Sequence, residues 1–362
     1  MYRPWWTRLN FQLIIASLLL CAYGLVAVYS ANFRVPHSTE FTRQTVFFFL
    51  GLTMFLVVLL MDYHTVGRLS LYLYGINVIL LLAVMFFGHS ALGAQRWVSL
   101  GPLGSFQPSE LAKLFLIITL ARQLSSSEDP RSLKTLGLAL LHAAPPLLLI
   151  LLQPDLGTAL VLVTILFGLL LAAGTSPVYI LLFVVSGLAV APHILKEYQV
   201  QRLLVFLNPQ ADPQGAGWNI IQSEIAVGCG QLVGKGLFAG TQAQLKFVPE
   251  KSTDFIFTVI GEELGFIGAI ALLALYLVLL WQITRIAMEA RDVFGRLVAT
   301  GIGVMLFFHV LVNIGMTIGI MPITGIPLPF ISYGGTSLLT NMTAIGFLLN
   351  IHMRKDRLLP EE

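Results

Sequence analysis

The stretch VPEKSTDFIFTVIGEELG (248–265) sets Glu250, Lys251, Asp254, Glu262 and Glu263 within and just before a segment that runs apolar to Trp281. A carboxylate beside hydrocarbon costs free energy, so it either serves the fold or has chemistry to do. For Asp254 the structural role is a helix N-cap shared with Ser252 and Thr253, which contributes about 1 kcal/mol. The chemical role is proton transfer. Desolvation raises a carboxyl pKa toward the working range of a general base, while Lys251 and the helix N-terminus would lower it. Glu262 lies roughly 80° round a helix axis from Asp254 and Glu263 roughly opposite. The two cannot face one cavity, and at least one must be paired internally. QPSELAKL (107–114) and QPDLGTAL (153–160) repeat the theme, each placing Gln-Pro and then an acid at the start of an apolar segment. Helix initiation explains either motif alone. Together, Glu110, Asp155, Glu250 and Asp254 suggest one shared polar cavity.

Positioning these groups falls to membrane helices. The chain has 362 residues, of which 57% are hydrophobic and 11% charged, against roughly one quarter charged in soluble domains. Runs long enough to cross a bilayer, about 20 residues each, occupy ten stretches: 11–31, 45–61, 69–88, 109–124, 134–152, 156–174, 178–195, 254–284, 297–320 and 331–352. The expectation is an all-α integral membrane protein, a single domain over 1–362, with about ten transmembrane helices. A long, partly structured extracytoplasmic loop (196–253) joins the seventh to the eighth. The 109–124 run is short and carries Glu110 and Lys113. Ten crossings put both ends on one side. Arg3, Arg8, Arg68, Arg131, Lys134, Arg285, Arg291, Arg296, Arg354, Lys355 and Arg357 gather there, and the positive-inside rule makes that side cytoplasmic.

No small-residue cleavage pattern follows Arg3 and Arg8, so 11–31 reads as the first spanning helix and not as a removed signal. The net charge of +3 reflects topology and implies no nucleic-acid partner. Cys21 and Cys229 are expected in different compartments, which disfavours a disulfide. The histidines show no HxxxH spacing and there is no CxxC, so no dedicated transition-metal site is expected. PITGIPLPFISYGGTS (322–337) interrupts its surroundings with three prolines and three glycines. Irregular backbone at membrane depth must be buried in protein or line a watery space, which predicts a cavity wall containing Thr324, Ser332, Tyr333 and Ser337.

In chain order the sequence contains GAQRW (93–97), QPSELAK (107–113), QPDLGTA (153–159), FLNPQADPQGAGWNIIQSEIAVG (206–228), GKGLFAGTQ (234–242), VPEKSTDFIF (248–257), GEELGFIG (261–268) and NIGMTIGIMPITGIPLPFISYGGTS (313–337). These motifs span nearly the whole chain and resemble those of the SEDS family (shape, elongation, division and sporulation), the integral-membrane peptidoglycan glycosyltransferases. The GTQ-to-FVPE run and the DPxGxGWNxxQS block are similar to the elongation-type branch. The resemblance implies an enzyme of the inner membrane that polymerises lipid II on the extracytoplasmic side. It implies β-1,4 linkage, release of undecaprenyl pyrophosphate, and a class B penicillin-binding protein as partner. Cys229-Gly230-Gln231 departs from the family's usual Ser-Gly-Gly, and the missing glycine is expected to stiffen the loop.

The resemblance also assigns roles. Asp254 matches the family's essential aspartate and becomes the candidate general base. Arg96 suits a pyrophosphate; Trp97 suits either a sugar face or the lipid interface. Glu110, Lys113 and Asp155 form either a structural ion-pair set or a substrate site, with Lys113 at phosphate and the acids at sugar hydroxyls or a divalent cation (Mg or Mn). Arg202, Lys235 and Lys246 are candidate cationic contacts, and Glu250, Lys251, Ser332 and Tyr333 complete the substrate-binding candidates. The rival readings are a lipid II flippase and a scaffold for the penicillin-binding protein. Internal repeats with interrupted helices, common in transporters, are not evident.

Overall fold

The structure, a computed structural model, describes residues 9–355 apart from 92–93, 100, 102–103, 195–196, 216 and 246. The first half contains α1 (Phe11–Asn32), α2 (Glu40–Leu60), α3 (Tyr63–Arg68), α4 (Ser70–Phe87), β1 (His89–Ala91), β2 (Ala94–Ser99), β3 (Ser105–Phe106), α5 (Pro108–Ser125), α6 (Leu133–Leu152), α7 (Leu156–Ala173) and α8 (Pro177–Ile194). The second contains α9 (Glu197–Leu207), α10 (Trp218–Cys229), α11 (Thr241–Gln244), α12 (Ile256–Glu289), α13 (Val293–Thr317) and α14 (Gly335–Arg354). Caps mark where several helices begin. Asn10 Oδ1 accepts from Leu13 N at 3.1 Å, Ser132 Oγ from Thr135 N at 3.2 Å and Asp292 Oδ2 from Gly295 N at 2.9 Å, each satisfying an amide the first turn cannot.

Each of the ten apolar stretches overlaps a helix of 18 residues or more. Among the described residues, seven helices (α1, α2, α4, α6, α7, α12 and α13) are long and apolar enough to cross a membrane. The polar composition of α5 and α14 follows from where they sit. In α5, 13 of 18 residues are buried, and in α14, 15 of 20, against three of 18 in α4. α5 packs against α4, α6, α7, α13 and α14. A helix wrapped by other helices meets protein on every side, so it can carry Glu110 and Lys113 where a lipid-facing helix could not.

β2 pairs antiparallel with both β1 and β3, Val98 standing opposite Phe106, and this small sheet packs on α4 and α5. The 196–253 segment is partly helical, through α9, α10 and α11. It reaches deep into the helical body: Ser223 Oγ, fully buried, donates to Thr317 O at 2.6 Å. Cys21 is buried and Cys229 exposed, and both are free thiols.

The apolar pattern alone predicts an unbroken helix through residue 265, but α12 is broken at Gly265 (φ 62°, ψ −160°). Phe266 N and Ile267 N donate to Gln231 O (2.8 Å) and Leu232 O (3.1 Å), while Glu262 O and Glu263 O accept from Lys235 N (3.0 Å) and Gly236 N (2.9 Å). Residues 230–236 thus supply the partners that the break removed from the helical ladder. Fit is close. A Cβ on Gly230 would lie 1.8 Å from Gly261 O.

Gln231, where the family pattern has glycine, holds a left-handed φ of 49°. That conformation costs an L-residue roughly 1–2 kcal/mol, partly offset by the smaller backbone entropy it loses on folding. Gln231→Gly is therefore expected to stabilise the protein by about 0.5–1 kcal/mol, read as a higher thermal midpoint in detergent. An unchanged or lower midpoint would show that the loop accommodates the side chain without strain.

Candidate active site

A cavity of about 220 Å³ opens where β2, the starts of α5, α7 and α14, the 250–254 turn, α13 and the 324–327 segment converge. Its lining brings together nine of the sequence candidates: Arg96, Trp97, Glu110, Lys113, Asp155, Arg202, Glu250, Asp254 and Tyr333.

Asp254 stands in the turn before α12. The residue flanking that helix is Phe255, with no side-chain cap, and the Asp254 carboxylate accepts no hydrogen bond from the described residues. The capping role is therefore absent. What is held is the backbone. Asn313 Nδ2 donates to Asp254 O (2.8 Å) and to Ile326 O (2.7 Å), tying the turn to α13 and to the irregular segment. Ser332 Oγ donates to Thr253 O (2.6 Å) and accepts from Leu328 N (2.8 Å), and Tyr333 N donates to Ser252 O (2.8 Å). A rigid turn thus presents a carboxylate without fixed partners. Burial raises its pKa to about 6, the Glu250 and Asp155 carboxylates push the same way, and Arg202 and Arg96 hold it back.

Asp155 both caps a helix and faces the cavity. Its oxygens accept from Thr158 N (3.1 Å), Thr158 Oγ1 (2.9 Å) and Gln107 Nε2 (3.3 Å), and Arg96 Nη1 lies 3.3 Å away. Glu110 Oε1 accepts from Lys113 Nζ at 2.7 Å. Both residues are nearly fully buried. Lys113 Nζ also lies 3.0 Å from His309 Nε2. Arg202 Nη1 donates to Ile323 O at 3.4 Å, and Glu250, at a left-handed φ of 50°, accepts from Thr253 Oγ1 at 3.2 Å.

Three candidates sit elsewhere. Lys235 pairs with buried Glu262 at 2.7 Å, and the same carboxylate accepts from Gln242 N (2.9 Å) and Ala243 N (3.0 Å), closing the start of α11. Lys251 Nζ donates to Ala243 O. Ser332 turns away from the cavity to hold the Thr253 carbonyl, whereas Thr324 and Ser337 do line it. Lys246 lies outside the described residues. Glu263 accepts from Ser30 Oγ and, at 3.5 Å, from Gln244 Nε2, at the edge of a separate, largely apolar cavity of about 310 Å³ between α1 and α12.

Sequence reasoning missed Gln107, Thr158, His309, Asn313 and Thr336. Gln107, Thr158, Asn313 and Thr336 fall inside the quoted motifs without being singled out, and His309 carried a signal of its own, an ionisable side chain inside an apolar run. Among the described residues no group of three or more His, Cys, Asp or Glu is placed to hold a metal.

Gly325, at φ 73°, lines the cavity, and a Cβ there would lie 3.3 Å from Asp254 Oδ2. Gly325→Ala is expected to cost about 1–2 kcal/mol from the left-handed backbone and to crowd the carboxylate. Activity per folded molecule should fall about tenfold, since small displacements of reacting groups are costly. Full activity at reduced stability would separate the glycine from the site.

Residues 11–357 match the family model described as "Cell cycle protein", whose label joins FtsW, RodA and SpoVE. The chain belongs to the FtsW/RodA/SpoVE family. It is 40% identical to peptidoglycan glycosyltransferase MrdB of Escherichia coli (strain K12), over 98% of this chain and 97% of that one. It is 33% identical to peptidoglycan glycosyltransferase RodA of Treponema pallidum (strain Nichols), over 96% and 98%. Among solved structures it resembles a chain from a peptidoglycan synthase complex that coordinates polymerization and crosslinking (TM-score 0.82, 34% identity, 96% of this chain and 99% of that one). It also resembles the rod shape determining protein RodA of Thermus thermophilus (TM-score 0.75, 30% identity, 98% and 100%).

Proposed function

We propose that this protein is an elongation-type peptidoglycan glycosyltransferase that polymerises lipid II, with Asp254 as general base. The observation that carries the reading is Asp254 itself, a carboxylate with no hydrogen-bond donor among the described residues, a pKa raised to about 6 and a backbone held by Asn313, facing a cavity that also holds Arg96, Lys113 and Arg202. A base needs an open lone pair and a pKa near the working pH. A diphosphate leaving group needs positive charge where its own charge develops.

In the reaction the acceptor sugar hydroxyl gives its proton to an Asp254 carboxylate oxygen as its own oxygen attacks the anomeric carbon of the donor. The bond from that carbon to the diphosphate breaks, the electron pair leaves with the lipid diphosphate, and the α-linked donor becomes a β-linked product. Arg96, Lys113 and Arg202 line the space where the leaving charge appears. The orphan hydroxyl of Thr324, buried in the same wall with no partner among the described residues, is a further group that ligand can satisfy. At about 220 Å³ the cavity is smaller than sites enclosing a drug-sized ligand, about 300–1,000 Å³. It therefore houses the reacting groups while the lipid and peptide extend outside. Any divalent cation would enter on the diphosphate, as Mg²⁺ does when held by phosphates and one or two carboxylates.

The same reading places ten helices across the cytoplasmic membrane, with both ends cytoplasmic and the cavity and the 196–253 segment extracytoplasmic. A class B penicillin-binding protein would crosslink the product. Purified protein, labelled lipid II in detergent and that partner should yield long glycan strands. No product under these conditions would favour the flippase or scaffold instead, since detergent offers no second membrane face. Repeating the assay with chelator and then with added Mg²⁺ or Mn²⁺ measures the cation's contribution.

A further inference from the structure

His309 on α13 is 3% exposed and lies in the wall of the same cavity, yet the reaction outlined above gives it no part. Its ring contacts fix its chemistry. Nδ1 lies 2.7 Å from Met305 O, and a backbone carbonyl can only accept, so Nδ1 carries the proton. Nε2 lies 3.0 Å from Lys113 Nζ, and an ammonium can only donate. In the neutral Nδ1–H tautomer, Nε2 presents its lone pair to that ammonium. A doubly protonated ring would set donor against donor.

Lys113 has three N–H donors. One meets Glu110 Oε1 at 2.7 Å and a second meets His309 Nε2 at 3.0 Å. No third acceptor stands among the described residues, and Lys113 borders the cavity. A flexible four-carbon stem with only one partner would collapse onto Glu110 and spend its charge there. The second contact, from a different helix 196 residues along the chain, holds the ammonium at a fixed point.

We propose that His309 is a positioning residue. As a neutral imidazole it fixes the Lys113 ammonium so that its third N–H faces an anionic oxygen of the substrate's diphosphate. The inference rests on the glycosyltransferase reading given above. It predicts which atom of His309 matters, because Nδ1 only anchors the ring and Nε2 does the holding.

Three variants test it in the lipid II polymerisation assay. His309→Phe keeps the ring shape and removes the acceptor, and kcat is expected to fall about 10- to 100-fold with KM changed less than threefold, since the charge on the leaving diphosphate is greatest in the transition state. His309→Gln can set an amide oxygen where Nε2 was and is expected to recover at least a third of wild-type kcat. His309→Asn is too short to reach Lys113 and should remain as impaired as the phenylalanine variant. If the phenylalanine variant does not accumulate, the contrast between glutamine and asparagine decides the matter. Equal activity of those two, or a phenylalanine variant with wild-type kcat, would overturn the proposal. Asp254→Asn run in parallel separates the failures: if it polymerises normally the glycosyltransferase reading itself is lost, and if it is inactive while all His309 variants are active, only the positioning role is lost.

Discussion

Asp254→Asn is expected to reduce glycan polymerisation by about a thousandfold and, at the same time, to raise the temperature at which the protein unfolds. A positioned general base contributes about 10²–10⁴ in rate, and asparagine cannot take up the proton. The gain in stability follows from the pKa. In the folded protein it stands at about 6, above the ordinary 3.8, so between those values the native state binds more protons than the unfolded chain. Stability therefore falls as pH rises through that window and stays reduced above it. Raised from 3.8 to about 6, the pKa corresponds to about 3 kcal/mol at full desolvation, and the partial exposure of Asp254 lowers the expectation to about 1–2 kcal/mol. Thermal unfolding in detergent at pH 7.5, beside strand synthesis, checks both halves. An inactive and less stable variant would assign Asp254 to holding its turn, contrary to the proton-transfer role. The wild-type enzyme should also gain kcat/KM as pH rises through about 6 and level off above it.

Gly230→Ala is expected to destabilise the protein by more than about 3 kcal/mol, enough to stop it accumulating. The residue has an ordinary φ of −76°, so the cost is steric alone. The new methyl would meet the Gly261 carbonyl at 1.8 Å, and overpacking against backbone cannot be relieved by a side-chain rotamer. Gly228→Ala is the control two residues away. A Cβ there meets nothing within 4 Å, and alanine in a helix is favoured over glycine, so that variant should be at least as stable as wild type. Expression and thermal midpoints of the pair test the claim that the 230–236 segment is seated against α12 at backbone contact.

Much of this architecture is legible in the sequence. Among the described residues the apolar runs coincide with long helices, seven of them long and apolar enough to cross a membrane, because lipid demands an apolar surface of any helix it touches. The acidic motifs at Glu110, Asp155 and Asp254 pointed to one cavity because charge at that depth needs a shared polar space. What could not be read was long-range partnership. Whether Asp254 caps α12 or faces open space is carried by no local pattern, and its turn is held through Asn313, 59 residues away. Lys235 reads as a candidate cationic contact, but Glu262, 27 residues on, takes its charge. Ser332 sat at the correct stretch, yet its hydroxyl faces Thr253 O. The break at Gly265 was hidden for a different reason: hydropathy reports which residues lipid accepts and says nothing about where a backbone ladder opens.

That opening has a consequence for how the protein loosens. The amides of Phe266 and Ile267 are held by carbonyls of Gln231 and Leu232 and not by the preceding turn of their own helix. Their exchange with deuterated solvent should therefore report the lifting of the 230–236 segment, a sub-global event, and not fraying of α12. Segment and helix would lose protection as one unit, so the 230–236 segment cannot peel away without exposing unpaired amides in the helix that follows Asp254.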